Sequence, residues 1–369
     1  MNILYVTTIG GTMPFFKIFI KELIESGHCV DLACNTDLYP VPGYFKEWGC
    51  NIYNLSCTRK CFDFYNLKAI WEIERIIKNK KYSIVHCHTP IASICTRIAC
   101  NKSRKYGMRV FYTAHGFHFY KGAPLKNWLF YYPIEWFCSF FTDELITINQ
   151  EDFKLAKEQF HAKNVKYIPG VGIELIDTDS KLSKKNKRKE LGLTEDDFVL
   201  LSVGELNDNK NHIVVIHAMK DLKNKRIKYL ICGKGEKKDF LLKQIKYNKL
   251  EKKVKLLGFR TDVKEIMQVV DCFIHPSFRE GLPVSIMEAM GFGLPVITSN
   301  IRGCQDLIVD QYGGFLCNPN EYVEFREAIT KVFESSQLFS QMKIFNLEYI
   351  KKFDMEHVNI MLRENVYRL

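Results

Sequence analysis

Two hydrophobic periods alternate along the chain. Short continuous apolar runs, Ile3–Val6, Val30–Cys34, Ile52–Leu55, Ile84–His88, Val110–Ala114 and Leu145–Ile148, have the length of strands buried on both faces. Between them, Pro14–Glu25, Leu67–Lys78 and Ile91–Lys102 repeat their apolar residues at helical spacing. Strands alternating with helices predict a parallel sheet with helices on its faces, the doubly wound α/β class. The first strand runs into Thr7–Thr12 (TTIGGT), a glycine turn ahead of a helix. That turn lacks the full G-x-G-x-x-G spacing, and no acidic residue follows at the distance that marks a ribose site, so it does not define a dinucleotide site. His86-Cys87-His88 has the residue types of a metal cluster, but it closes a predicted buried strand whose side chains alternate faces.

The pattern breaks at Ile168-Pro169-Gly170 and restarts after a charged run, Lys181–Glu190, expected to open a solvated helix. Strands are predicted at Val199–Val203, Lys228–Cys232, Val254–Leu257, Asp271–His275 and Pro295–Ser299, and a charged helical tail from about Tyr322. A chain of 369 residues exceeds one ordinary core. The expected division is a first domain over 1–168, a second over 169–345, and a C-terminal helix, 346–369, crossing back to the first.

The composition is that of a globular protein, 47% hydrophobic, and no apolar run reaches the roughly 20 residues of a membrane span. Met1 is followed at once by NILYVTTI, without a charged leader. Together with thirteen scattered cysteines, this predicts a cytosolic protein with reduced thiols. The net charge of +11 is spread over both halves rather than gathered on one face, which argues against nucleic acid. It suits an anionic substrate or the surface of an anionic membrane.

Candidate chemistry concentrates in Ser277–Val296, SFREGLPVSIMEAMGFGLPV. Glu280 is followed by Gly281, Leu282 and Pro283, and an apolar run, Val284–Met290, then carries Glu288. This reads as a loop entering a helix with Pro283 at or just before its first turn. Gly281 lets the backbone approach a ligand, and the helix N-terminus offers N–H groups and a positive dipole end to an anion. One loop thus supplies a phosphate site with a hydroxyl acceptor on either side, the combination a sugar nucleotide needs. An amphipathic helix with its glutamates in water accounts for either glutamate alone, but not for both together with Gly-Leu-Pro at 281–283 and again at 293–295. Lys210 follows a strand ending at Gly204 through a short polar loop, at the sheet edge where open α/β folds bind ligands. In the first half, His115, Gly116, Phe117 and His118 directly follow a strand, and Trp128, Tyr131 and Tyr132 belong to an aromatic segment flanked by Lys121 and Lys126. About half of that segment's aromatics fit a core helix. The rest, with Arg97, Lys102, Arg104, Lys105 and Arg109 close in sequence, suit a surface that lies on a membrane or receives a lipid.

These residues give the chain a resemblance to the retaining glycosyltransferases of family four. It rests on Glu280-Gly281-Leu282-Pro283 with Glu288, on Gly204 with Lys210-Asn211, and on Gly233-Lys234-Gly235-Glu236, Gly10-Gly11 and His115-Gly116. The segments TAHGFHFYKGAP, VGELNDNKNH and REGLPVSIMEAM look most like the bacterial branch that builds capsule, exopolysaccharide or glycan repeat units. The resemblance implies the GT-B architecture, two Rossmann-like domains facing across a cleft, the first binding the acceptor and the second the nucleotide sugar. It implies that Glu288 holds the ribose hydroxyls and that Glu280, Gly281, Leu282 and Pro283 hold the donor sugar. Lys210 beside Gly204 would neutralise the diphosphate, Gly11 and Thr12 would approach it from the first domain, Gly233 would belong to the donor site, and Phe259 and Arg260 would lie by the base. His115 would stand beside the transferred sugar, with Phe117, His118, Lys121, Trp128, Tyr131 and Tyr132 toward the acceptor or the membrane. Where many members carry an arginine after the glycine at 204, this chain has Glu205, which leaves Arg279 or Arg302 to supply that charge.

The expected reaction is transfer of a hexosyl or N-acetylhexosaminyl group, with retention, from a UDP-sugar to a polyprenyl-diphosphate-linked or other glycan. The sequence has no Asp-x-Asp at a strand end, so no essential metal or other cofactor is expected, and no nucleic acid. Alternatives are a sugar-nucleotide epimerase or hydrolase of the same architecture, a non-catalytic membrane or nucleic-acid binder, and a nicotinamide-dependent dehydrogenase, which the incomplete glycine pattern disfavours.

Overall fold

The computed structural model describes residues 1–60, 63–175 and 184–369, so Lys181–Ser183 of the predicted charged helix lie outside the described residues. The chain forms two compact units, Met1–Val171 with Val358–Leu369, and Gly172–His357. In the first, strands β1 (Asn2–Ile9), β2 (Cys29–Asn35), β3 (Ile52–Asn54), β4 (Ile84–His88), β5 (Arg109–Ala114), β6 (Glu144–Thr147) and β7 (Asn164–Tyr167) make one parallel sheet in the order β3-β2-β1-β4-β5-β6-β7. In the second, β8 (Phe198–Val203), β9 (Ile227–Cys232), β10 (Val254–Gly258), β11 (Cys272–His275), β12 (Val296–Ser299) and β13 (Gly314–Cys317) run in the order β10-β9-β8-β11-β12-β13. The strand order reverses between β1 and β4 and again between β8 and β11. A crevice opens at the carboxyl ends of such strand pairs.

Residue alternation explains why both faces of the first sheet are covered. Leu4, Val6, Val85, Cys87, Val110 and Tyr112 enter one core, while Ile3, Tyr5, Ile84 and Phe111 enter the other. The second of these cores also takes Val358, Val366 and Tyr367 from the C-terminal segment. The twelve described cysteines are free thiols, all but Cys29 buried. Among the described residues, no helix is long and apolar enough to cross a membrane.

Several expectations are corrected. β1 continues through Thr7 and Thr8 to Ile9, and Gly10–Phe16 wind into a 3-10 helix rather than an open turn, so the α-helix begins at Lys17. Strands β7 (NVKY) and β13 (GFLC) were not predicted. Both lie at sheet edges, where short half-buried strands carry little hydrophobic signal.

Candidate active site

In the second unit, the helix Val284–Gly291 follows Pro283 at its N-cap and carries Glu288 in its second turn. The loop ahead of it is held by a close backbone approach. Gly303, at a φ of 75°, leaves so little room that a Cβ there would lie 2.2 Å from the Gly281 oxygen. Inside this loop the Glu280 carboxylate accepts two bonds at Oε1, from Lys210 Nζ at 2.7 Å and from His275 Nε2 at 2.9 Å. Ser277 Oγ stands 3.1 Å from the same His275 nitrogen. Burial alone would raise the Glu280 pKa, but the His275 contact and the Lys210 ammonium outweigh it and hold the carboxyl down at about 2. Burial keeps His275 itself neutral at ordinary pH. Glu288 is shifted the other way: desolvation raises its pKa, opposed weakly by Lys264.

The segment bearing Lys210 does not swing as a free loop. Phe278 N donates to Asn209 O at 2.8 Å, Asn209 Nδ2 to Arg279 O at 3.0 Å, and Lys210 N to Asn207 Oδ1 at 3.0 Å. Asn211, in the left-handed region at a φ of 49°, donates to Pro276 O and Pro319 O. The alternating asparagines of NDNKN therefore fasten Lys210 to the loop after β11. Glu205 is exposed, and its carboxylate accepts from Asn207 Nδ2. Of the two arginines considered for its missing partner, Arg302 is buried with Nε toward Glu280 O, whereas Arg279 is exposed. Gly204 lies against the stem of Lys210. Gly233 serves packing, because a Cβ there would fall 1.8 Å from the Gly204 oxygen. Arg260 is committed to Asp262 and Glu190, in a network that also holds Lys187, so it is not a free cation beside a base. Phe259 is exposed, with Lys234 Nζ 5.2 Å from its ring.

At the β1–β4–β5 edge of the first unit, His88 Nδ1 lies 3.2 Å from His115 Nε2. Beneath them, on the same sheet face, His86 bonds Thr113 Oγ1 at 2.8 Å and Tyr367 Oη at 2.7 Å, and Tyr367 bonds Tyr5 Oη at 2.8 Å. The His86 and His88 rings lie 4.2 Å apart, and Phe16 stacks on His88 at 4.0 Å. Burial favours the neutral form of all three imidazoles. His115 as a residue is exposed at the sheet edge. Thr12 Oγ1 bonds Ile9 O, and Gly11 is exposed beside it. Among the described residues no group of three His, Cys, Asp or Glu is placed to hold a metal ion.

The aromatic segment forms the helix Leu125–Ser139, and its 3.6-residue period sorts the expected acceptor residues. Trp128, Tyr131 and Tyr132 turn inward against the core, with Glu135 and Cys138 on the same face, and Tyr131 stacks on His118 at 4.6 Å. Phe117, 2% exposed, stacks on Phe119 inside the core and offers no open face. The outward side is Leu125, Leu129, Phe130, Trp136 and Phe137, with Lys121 and Lys126 exposed nearby. Arg97, expected on the surface, is buried and pairs with Glu135 at 2.8 Å.

Sequence reasoning missed His275 and Ser277, which flank Pro276 at the end of β11, and Tyr367. It took His88 for the end of a strand only. The signal available was polar residues at the carboxyl ends of switch-point strands, which the pattern of strand runs locates but does not rank.

The Glycosyl transferases group 1 family profile matches residues 183–346, and the Glycosyl transferase 4-like profile matches residues 2–149. EpsD of Bacillus subtilis (strain 168), itself assigned as a glycosyltransferase, is 35% identical over 88% of this chain and 84% of its own. The UDP-Gal:alpha-D-GlcNAc-diphosphoundecaprenol alpha-1,3-galactosyltransferase of Escherichia coli is 33% identical over 74% of this chain and 72% of its own. Among solved structures, Anabaena HepE in complex with UDP has a TM-score of 0.82 at 20% identity, covering all of both chains. WaaG, a glycosyltransferase of lipopolysaccharide biosynthesis, has a TM-score of 0.76 at 16% identity over 99% of each chain.

Proposed function

The chain belongs to the group 1, family-four-type glycosyltransferases of the GT-B fold class, and from that premise we propose that it moves a hexosyl or N-acetylhexosaminyl group from a UDP-sugar to a polyprenyl-diphosphate-linked glycan, with retention. The observation that carries this reading is the Lys210–Glu280–His275 cluster at the β8–β11 switch point, directly ahead of the helix bearing Glu288. The galactosyltransferase relative, named for a diphosphoundecaprenol acceptor, supports the acceptor class.

The chemistry follows from charge. As the sugar–phosphate bond breaks, negative charge grows on the leaving diphosphate. Lys210, held in place by Glu280 and the asparagines, and the N-terminus of the helix Val284–Gly291 stabilise that charge without reorganising. Arg302 adds a cation behind the same loop. Glu288, already desolvated, gains by accepting ribose hydroxyls. Glu280, ionised by its two partners, is an acceptor for hydroxyls of the donor sugar. His115, neutral and partly open to solvent, is placed for contact with the transferred sugar. No group of the chain needs to attack the sugar covalently. The acceptor hydroxyl approaches the face the diphosphate leaves, and the leaving phosphate takes its proton. In this reading no metal is required, and the enzyme works at the inner face of the membrane, where the lipid-linked acceptor lies.

The test is a nucleotide-sugar panel with a short-chain lipid-linked GlcNAc acceptor, following both product and donor consumption. Acceptor-dependent transfer with an α-linked product from an α-linked donor is expected. Donor consumption that ignores the acceptor would favour an epimerase or hydrolase instead.

A further inference from the structure

Three recesses lie side by side on one flank of the first unit. One, of about 350 Å³, is walled by Phe64, Leu67, Ile70, Ile94 and Ile98, from the helices Phe64–Asn79 and Pro90–Arg104. A second, of about 450 Å³, is lined by Arg59, Lys60 and Lys126 with Phe130, Tyr131 and Ile134. Between them lies a third recess of only about 20 Å³, which shares Ile94 with the first and Tyr131 and Ile134 with the second and is also lined by Gly116, next to His115.

The walls are apolar and open to water, with Phe64 87%, Leu67 63% and Phe130 57% exposed. The basic rim is held rather than loose. Asn66 accepts from Thr58 N and donates to Lys60 O at 2.7 Å, pinning the turn that carries Arg59 and Lys60. Lys68, Lys78, Lys80 and Arg104 in this unit are paired with carboxylates. Among the described residues no carboxylate pairs with Arg59, Lys60 or Lys126. The acids on the walls are already engaged: Glu135 holds Arg97 at 2.8 Å, and Asp63 caps its helix through Tyr65 N.

Resting on the function proposed above, we propose that the two larger recesses together bind the lipid diphosphate of the acceptor. Arg59, Lys60 and Lys126 take the diphosphate, the cavity at Phe64, Leu67 and Ile98 takes the isoprenoid chain, and the attached sugar extends over the surface toward His115. Three cations without acidic partners match a group carrying two to three negative charges. An apolar recess beside a basic rim suits an isoprenoid diphosphate, whereas a bilayer surface would leave the recesses unfilled.

The probe is farnesyl diphosphate, with inorganic diphosphate as comparator. Binding is measured by equilibrium dialysis on the full-length protein and on Arg59→Ala/Lys60→Ala and Leu67→Asp, all exposed positions whose fold is checked by melting temperature. Farnesyl diphosphate should bind about tenfold or more tightly than inorganic diphosphate, and each variant should lose about tenfold or more of that affinity. Stabilisation by UDP should be unchanged. Equal affinities for the two probes would overturn the site. So would variants that keep farnesyl diphosphate affinity and lose only sedimentation with phosphatidylglycerol vesicles, because the patch would then be a membrane contact. UDP binding without farnesyl diphosphate binding overturns this proposal and leaves the glycosyltransferase reading standing. Farnesyl diphosphate binding without UDP binding supports the site and counts against the donor assignment.

Discussion

At the scale of single residues, Lys210 and Glu280 are each other's partner before any substrate arrives, so their roles separate by what each loses. Lys210→Ala removes the cation aimed at the leaving group and should lower the transfer rate on the order of a hundredfold. The melting temperature should move little, because the pair is partly exposed and His275 still satisfies Glu280. Initial rates and a thermal melt on the same preparation decide it, and retained activity would move the clamp to Arg302. Glu288→Ala should weaken UDP binding by about 1.5–3 kcal/mol for each hydroxyl bond lost while leaving the fold intact. Titration calorimetry with UDP checks this, and unchanged affinity would remove the ribose assignment. Both glutamates and Lys210 were legible in the sequence because their spacing ties them to a strand end and a helix start. His275 was not, because one histidine closing a buried strand looks like any other until its Nε2 is seen against a carboxylate.

At the scale of elements, the column of histidines on β4 and β5 makes a pH prediction whose sign is fixed. His86 is held near pKa 3 by burial, against 6.5 in an unfolded chain. The unfolded state therefore takes up its proton first, and stability is lost as pH falls from 6.5 toward 3, at about 1.4 kcal/mol per pH unit. Glu280 acts in a lower window: with its folded pKa near 2 against 4.5 unfolded, its contribution is present above 4.5 and is lost below it. Urea unfolding at pH 7 and pH 5 should thus differ by about 2 kcal/mol less in His86→Gln than in the unsubstituted protein. An identical difference would mean the histidine is solvated. The helix Leu125–Ser139 shows where sequence pattern stops helping. With eight aromatics in and just beyond it, both faces look apolar, and only packing reveals that Trp128, Tyr131 and Tyr132 are core while Phe130 and Phe137 face out. Trp128→Ala should cost about 2–4 kcal/mol of stability, and Phe137→Glu under about 0.5. Paired denaturant titrations distinguish them. The edge strands β7 and β13 were illegible for the opposite reason: four residues at a sheet edge carry too little periodic signal.

At the scale of the whole molecule, alternation of strand and helix made both sheets legible, whereas the division of the chain did not follow from pattern alone. The segment that returns to the first unit begins only at Val358, because what identifies it is three buried side chains, Val358, Val366 and Tyr367, rather than a helical period. Ending the chain before Val358 should open the core around Tyr5 and His86 and lower the first unit's melting temperature by well over 5 °C, while UDP still stabilises the second unit. Limited proteolysis with and without UDP reports the two units separately, and equal protease resistance of both would count against it. The hydroxyl of Tyr5 is paired with one that lies 362 positions later. On the ribosome, the fifth residue emerges long before its partner exists. At about 5–20 residues per second, the nascent first unit waits on the order of ten seconds after its own sheet is complete before the last turn of chain can close it. During that interval the face of β1, β4 and β5 carrying Tyr5 and His86 lacks Val366 and Tyr367, which makes it the natural place for a chaperone to hold the growing protein.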